Sequence, residues 1–110
     1  MHSACFRRPD INQGVTDFHN TPGSLLLDVR NLTEYRQGHI PGSRSLPLHS
    51  IECIDEVADH PDVPLFVYCQ SGARSRQAVL QLQELGYTNA INIGGISCYS
   101  GAVVSGCATA

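Results

Sequence analysis

The strongest constraint on this chain is a rhythm. Compact apolar runs (SLLLDVR at 24–30, PLFVYC at 64–69, NAINI at 89–93) are separated by stretches with helix signals. Apolar runs of that length, closed off by turn residues, fit strands buried on both faces. Strands alternating with helices imply β–α–β units, right-handed crossovers and a parallel sheet. The fold class expected is therefore α/β, a central parallel sheet flanked by helices on both faces.

The intervening residues supply the punctuation. Asn31 can cap a short helix, with Glu34 three residues on as in a capping box, and Gly38 ends it. HIPGS is a turn with Pro41 and Gly42 at its apex, and RSLPL reads as a brief second strand. Residues 50–59 read as a helix with Ile51, Ile54, Val57 and Ala58 on one face, stopped by Pro61 and Pro64. Residues 75–85 read as a helix with Ala78, Val79, Leu82 and Leu85 turned inward, closed by Gly86. Gly94 and Gly95 open a loop after the last strand, and Ile11–His19 offers a short helical turn of little periodicity. The 110 residues make one domain, with a core over 11–101 and terminal extensions at 1–10 and 102–110.

Charge and cysteine usage exclude several roles. Net charge is −3 and the seven basic residues, all arginine, are scattered, so no basic stripe suggests nucleic acid. Cys5, Cys53, Cys69, Cys98 and Cys107 form no C-x-x-C pair and no zinc-type cluster with histidine. His39, His49 and His60 are separated by prolines and loop signals, which argues against a shared metal site. A disulfide scaffold is not needed by a chain of this core size, so free thiols in a cytoplasmic setting are expected. The N-terminus lacks a signal-peptide apolar region, and the uncharged 85–110 stretch is too interrupted by glycine, asparagine and serine to span a membrane. Nothing in the residues reads on oligomeric state.

In open parallel sheets, ligands gather at the carboxyl ends of strands, and Cys69 stands at such an end. In CQSGARS, small side chains and a glycine let successive backbone N–H groups converge into a nest suited to an anion. The same groups begin a helix, whose dipole adds positive potential. Arg74 is expected to present a planar fork to the anion. A thiol held there ionises more readily than a free one at about 8.5, and its thiolate is a nucleophile. Taken alone, the pattern is equally compatible with an inert buried thiol.

Three ordered motifs carry a resemblance. LLLDVRNLTEYRQGHIPGSRSLPL, PLFVYCQSGARSRQAVLQLQELGY and NAINIGGISCY resemble the opening signature, active loop and closing double-glycine segment of single-domain rhodaneses. The match runs over 25–101. The resemblance implies a thiosulfate-type sulfurtransferase with Cys69 as the persulfide-forming nucleophile. Gln70, Ser71, Gly72, Ala73, Arg74 and Ser75 would form the loop that binds the donor, while Asp28 and Arg30 would buttress it. It further implies no cofactor and no metal, a small anionic sulfur donor (thiosulfate or a persulfide), and cyanide or a cellular thiol as acceptor. Glu34, His39, Pro41 and Gly42 match positions that shape the fold. Arg44, Ser45 and Tyr99 depart from the usual residues, Tyr99 standing where tryptophan is common, and AVVSGCATA replaces the usual ending. These departures bear on substrate preference.

Two other readings share parts of the pattern. Cysteine-dependent phosphatases and arsenate reductases use a C-x5-R cradle, one residue longer than the four that separate Cys69 from Arg74. A non-catalytic binding or regulatory module on the same fold is the second. Cys98, in the double-glycine segment, is a possible secondary thiol that could take over sulfur or pair with Cys69; a bystander thiol is the alternative.

Overall fold

The computed structural model describes residues 9–106. Cys5, Cys107, Arg7 and Arg8 therefore lie outside the described residues, as do residues 1–8 and 107–110 of the two expected extensions.

Four parallel strands form one sheet in the order β2-β1-β3-β4: β1 Leu25–Asp28, β2 Arg44–Ser45, β3 Leu65–Cys69 and β4 Ala90–Gly95. β1 and β3 hold the centre, and every residue of β3 is buried. Alternate side chains of these strands enter two separate cores. Leu27, Leu65, Val67 and Cys69 face one layer, with Ile51, Ile54, Ala78 and Leu82. Leu26, Phe66 and Tyr68 face the other, with Ile11, Val15, Ile40 and Ile93. This two-sided burial is why the runs lack polar alternation. The α/β class, with helical layers on both faces, is as expected.

The helices are α1 Ile11–His19, α2 Leu32–Gln37 and α3 Ala73–Glu84. α1 is a firmer element than its weak periodicity suggests. Asp10 accepts from the N–H groups of Asn12 and Gln13, and Gly14 lets the helix lie against Ile93, where an added Cβ would fall 2.4 Å from the Ile93 Cβ. α2 carries the expected capping box: Asn31 accepts from the Glu34 N–H at 2.9 Å, and Glu34 accepts from the Asn31 N–H at 3.0 Å.

Three local expectations need correction. Residues 50–59 are not an α-helix; a 3₁₀ segment runs over Leu48–Glu56 with breaks at Ser50 and Cys53. Ile51 and Ile54 are both buried, and a three-residue spacing suits 3₁₀ geometry as well as it suits α. Serine and aspartate in this stretch favour non-helical backbone. α3 begins two residues earlier than expected and ends at Glu84, so Leu85 is its cap and lies 47% exposed instead of in the core. Gly86 follows at φ +99, and the Tyr87 N–H closes back on the Leu82 carbonyl at 2.9 Å. Gly94 and Gly95 belong to β4 itself, beyond an irregularity that leaves Ile93 unpaired between Asn92 and Gly94. Beyond 101 the chain remains tied to the body: Val104 exchanges two backbone hydrogen bonds with His39, and Gly106 donates to the Arg36 carbonyl.

Candidate active site

Cys69 ends β3 beside Gly95 of β4, and its neighbour Tyr68 pairs with Asp28 of β1. The chain then turns through Gln70, Ser71 and Gly72 into α3. Gly72 caps that helix at φ +104, a backbone state that side chains strain to adopt. Its N–H points at the Cys69 sulfur from 3.0 Å, and the Ser75 hydroxyl stands 3.4 Å from the same atom. The sulfur thus faces donors at the positive end of a twelve-residue helix.

The Cys69 residue has no solvent exposure. Burial alone pushes its thiol up. The Ser75 hydroxyl, then the backbone N–H groups of Ser75, Gly72 and Ser71, outweigh that effect and leave the thiol below its ordinary value. Hydrogen bonding to the charged form is therefore the decisive influence.

β4 presses directly on the loop. A Cβ on Gly95 would lie 2.4 Å from the Gln70 carbonyl oxygen and 2.6 Å from the Ser71 Cα. The Ser97 N–H donates to that same carbonyl at 3.2 Å. Only glycine permits this approach, which gives the second residue of the pair a steric purpose.

Asp28 and Arg30 form a buried ion pair, Nη2 to Oδ2 at 2.7 Å. Arg30 also donates to the Gly38 carbonyl at 2.7 Å and to Gln70 Oε1 at 3.3 Å. The pair joins the end of β1 to the start of the loop, and each charge is compensated where it is desolvated.

Arg74 does not present a free fork to the sulfur. Its guanidinium is held by Glu34, Nη1 to Oε1 at 2.8 Å and Nη2 to Oε2 at 3.0 Å. This corrects the expected geometry: the carboxylate that closes the α2 capping box satisfies the fork first. The Arg74 hydrogen bonds hold the Glu34 carboxyl down to about 2, with burial opposing and the Asn31 N–H adding to the effect.

Asn92 was not singled out by sequence reasoning. Its Oδ1 accepts from the Ser75 hydroxyl at 2.7 Å and the Gly94 N–H at 3.0 Å, and its Nδ2 donates to the Gly72 carbonyl at 3.2 Å. The available signal was a lone amide inside an apolar strand, a position where asparagine is disfavoured.

Two clefts flank the loop. One, of about 410 Å³, is bordered by Ser71, Gly72, Arg76, Asn92, Gly95 and Cys98; the other, of about 490 Å³, by Asn31, Leu48, His49, Glu52 and Arg74. Cys69 lines neither. Cys98 is exposed at the first cleft, in a 3₁₀ turn over Ile96–Cys98. Ala73 opens α3 with its side chain exposed. His39 is buried, donates through Nδ1 to the Tyr35 carbonyl at 2.8 Å, and stacks on that ring at 3.7 Å. It is spent on structure. Among the described residues no three histidine, cysteine or acidic side chains cluster as metal ligands, and no helix is long and apolar enough to cross a membrane.

Comparison with known proteins agrees with this fold. The family model for the rhodanese-like domain matches residues 13–102. A protein named sulfurtransferase from Allochromatium vinosum is 40% identical over 83 residues, covering 74% of this chain and 76% of its own. The thiosulfate sulfurtransferase PspE of Escherichia coli is 37% identical over 71 residues, covering 64% and 68%. A solved structure described as rhodanese with anions from E. coli superposes with a TM-score of 0.70 at 33% identity, covering 76% of this chain and 99% of that one. On this likeness in sequence, fold and extent, the chain belongs to the rhodanese-like family and is a sulfurtransferase of rhodanese type.

Proposed function

We propose that the chain moves sulfane sulfur from thiosulfate or a persulfide to a thiophilic acceptor through a persulfide on Cys69. The observation that carries this reading is the convergence of the Gly72 N–H and the Ser75 hydroxyl on the Cys69 sulfur at the N-terminus of α3. In the first half-reaction the Cys69 thiolate attacks the outer sulfur of thiosulfate. The sulfur–sulfur bond of the donor breaks, its electron pair leaves with sulfite, and a Cys69 persulfide anion remains. In the second, cyanide or a thiolate attacks the terminal sulfur, takes it, and returns the electron pair to Cys69. Splitting one transfer into two nucleophilic steps is the advantage of a covalent intermediate.

With the Arg74 fork held by Glu34, anion stabilisation falls to the backbone. The N–H groups of Ser71, Gly72 and Ser75 and the α3 dipole are fixed before reaction, so they stabilise the developing charge without reorganising. Gln70, Ser71, Gly72, Ala73, Arg74 and Ser75 serve as the loop, with Asp28 and Arg30 behind it. Arg76, exposed at the rim of the smaller cleft, has no carboxylate partner among the described residues and is the free cation beside the loop. The described cysteines Cys53, Cys69 and Cys98 are all free, which fits a reducing, cytoplasmic setting.

The test is intact-mass analysis after exposure to thiosulfate, paired with thiocyanate formation from thiosulfate and cyanide. The expected result is a gain of about 32 Da, one sulfur, absent in Cys69→Ala. Aryl-phosphate hydrolysis without sulfur transfer, or a gain of mass confined to Cys98, would overturn the assignment.

A further inference from the structure

The Ser75 hydroxyl has one proton and three acceptors within reach. Asn92 Oδ1 lies at 2.7 Å, the Gly72 carbonyl at 3.1 Å and the Cys69 sulfur at 3.4 Å. Distance favours Asn92. Its amide cannot turn over to release that proton, because a flip would set Nδ2 against the Gly94 N–H and withdraw the donor from the Gly72 carbonyl. The orientation of Asn92 is therefore fixed by backbone on both sides, one of them the loop residue whose N–H reaches the sulfur.

We infer that Asn92 is a positioning residue for the nucleophile, deciding whether the single proton of Ser75 serves the amide or the sulfur. While Cys69 is a thiol, Ser75 donates to Asn92 and offers a lone pair to the S–H. When the sulfur loses its proton, the hydroxyl rotates and donates to the thiolate, because a bond to a charged acceptor is roughly twice as strong as a neutral one. Asn92 Oδ1 then keeps the Gly94 N–H and is not left bare. The rotation returns when the thiolate is consumed, so the hydroxyl follows the charge on sulfur. No atom is transferred in this step.

The charged groups around Cys69 do not provide such a response. Arg74 of α3 is bound to Glu34 of α2, Asp28 and Arg30 at the end of β1 are paired, and Arg76 of α3, unpaired among the described residues, is exposed at the cleft rim. β4 brings no charged side chain, and the 3₁₀ turn after it brings only the exposed Cys98 thiol. In the 3₁₀ segment over Leu48–Glu56, the acidic residues Glu52, Asp55 and Glu56 are exposed.

The inference rests on Cys69 as the reacting thiol, yet its readout is separate from sulfur transfer. Alkylation by iodoacetamide is followed across pH by peptide mass spectrometry, so that Cys69 is read apart from the other thiols. Asn92→Leu removes the competing acceptor and is expected to lower the Cys69 midpoint by about 0.7 pH unit, the equivalent of one ordinary net hydrogen bond. In a Ser75→Ala background the same substitution is expected to leave the midpoint where it was. Asn92→Asp retains the Ser75 and Gly94 contacts while giving up the donor to the Gly72 carbonyl, is the second variant should leucine fail to fold, and is expected to raise the midpoint more with Ser75 present than without it. A midpoint that rises or stays put in Asn92→Leu overturns the inference, as does any shift of equal size in the Ser75→Ala background. Loss of thiocyanate formation in the wild-type chain with these shifts intact would defeat the proposed reaction and leave the positioning role standing.

Discussion

Arg74 and Glu34 grip each other through two parallel contacts, at 2.8 and 3.0 Å, and so join the helix after Cys69 to the helix after β1. The same carboxylate closes the α2 capping box. One side chain thereby caps the start of α2 and ties it to the first turn of α3.

Glu34 and Arg74 are expected to matter more for stability than for donor affinity. The pair is partly exposed, so its own worth is about 0–1 kcal/mol, and the cap adds about 1 kcal/mol. Glu34→Ala, which loses both contacts, should lower the melting temperature by about 4–8 °C for each kcal/mol lost. Arg74→Gln should change the thiosulfate KM less than about threefold. A rise of about tenfold in steady-state assays would return Arg74 to the role of anion clamp.

Acid should dissolve this contact. The Glu34 carboxyl is held down to about 2, below its unfolded value of about 4.3, so its contribution is complete above 4.3 and disappears as pH falls toward 2. Thermal unfolding of the wild type and of Arg74→Gln, followed from pH 5 downward, is expected to converge. Because the pair is partly exposed, solvent screening keeps the gap small to begin with. A gap that is constant with pH would show that the pair contributes nothing through Glu34.

Gly95→Ala is expected to disable the loop. The new methyl would meet backbone atoms of Gln70 and Ser71, which cannot swing aside as a side chain can. Overpacking of this kind costs about 1–3 kcal/mol, and relief by moving the loop would pull the Gly72 N–H from the sulfur. Gly14→Ala is the control, since its clash is with the Ile93 side chain, outside the loop. Both should melt early; sulfur transfer by the folded fraction should fall sharply only in Gly95→Ala.

Removing Arg30 leaves Asp28 buried and uncompensated. Asp28 has no exposure, and Arg30→Met also abandons the Gly38 carbonyl and Gln70. A loss of about 3–5 kcal/mol is expected in urea unfolding, a large share of the stability of a domain this size. Adding Asp28→Asn should recover part of it. If Arg30→Met unfolds at the wild-type midpoint, the pair is not supporting the fold.

What could be read from the residues was local or periodic. The Asn31–Glu34 capping box lies within four positions, and β3 announces itself by an unbroken apolar run ending in Cys69. Gly72 at φ +104 and Gly86 at φ +99 stand where turn chemistry places glycine. Long-range partnerships were not legible. Nothing near Arg74 in the chain says that its guanidinium meets a carboxylate forty residues away, so an isolated fork looked free. Asn92 reads as a flaw in a strand until the fold lays it over Ser75. The spacing of Ile51 and Ile54 could not separate 3₁₀ from α backbone, and Leu85 faced inward only if α3 ran one residue longer than it does.

The complete enclosure of Cys69 has a kinetic corollary. On the proposed reaction, an acceptor reaches sulfur held there only when the 70–74 segment moves aside. Discharge is therefore expected to saturate as acceptor concentration rises, reaching a ceiling set by opening and not by collision. Bulkier acceptors would reach the same ceiling only where they fit the opening. On that reading the loop, and not the chemistry of the acceptor, sets how long the sulfur is kept.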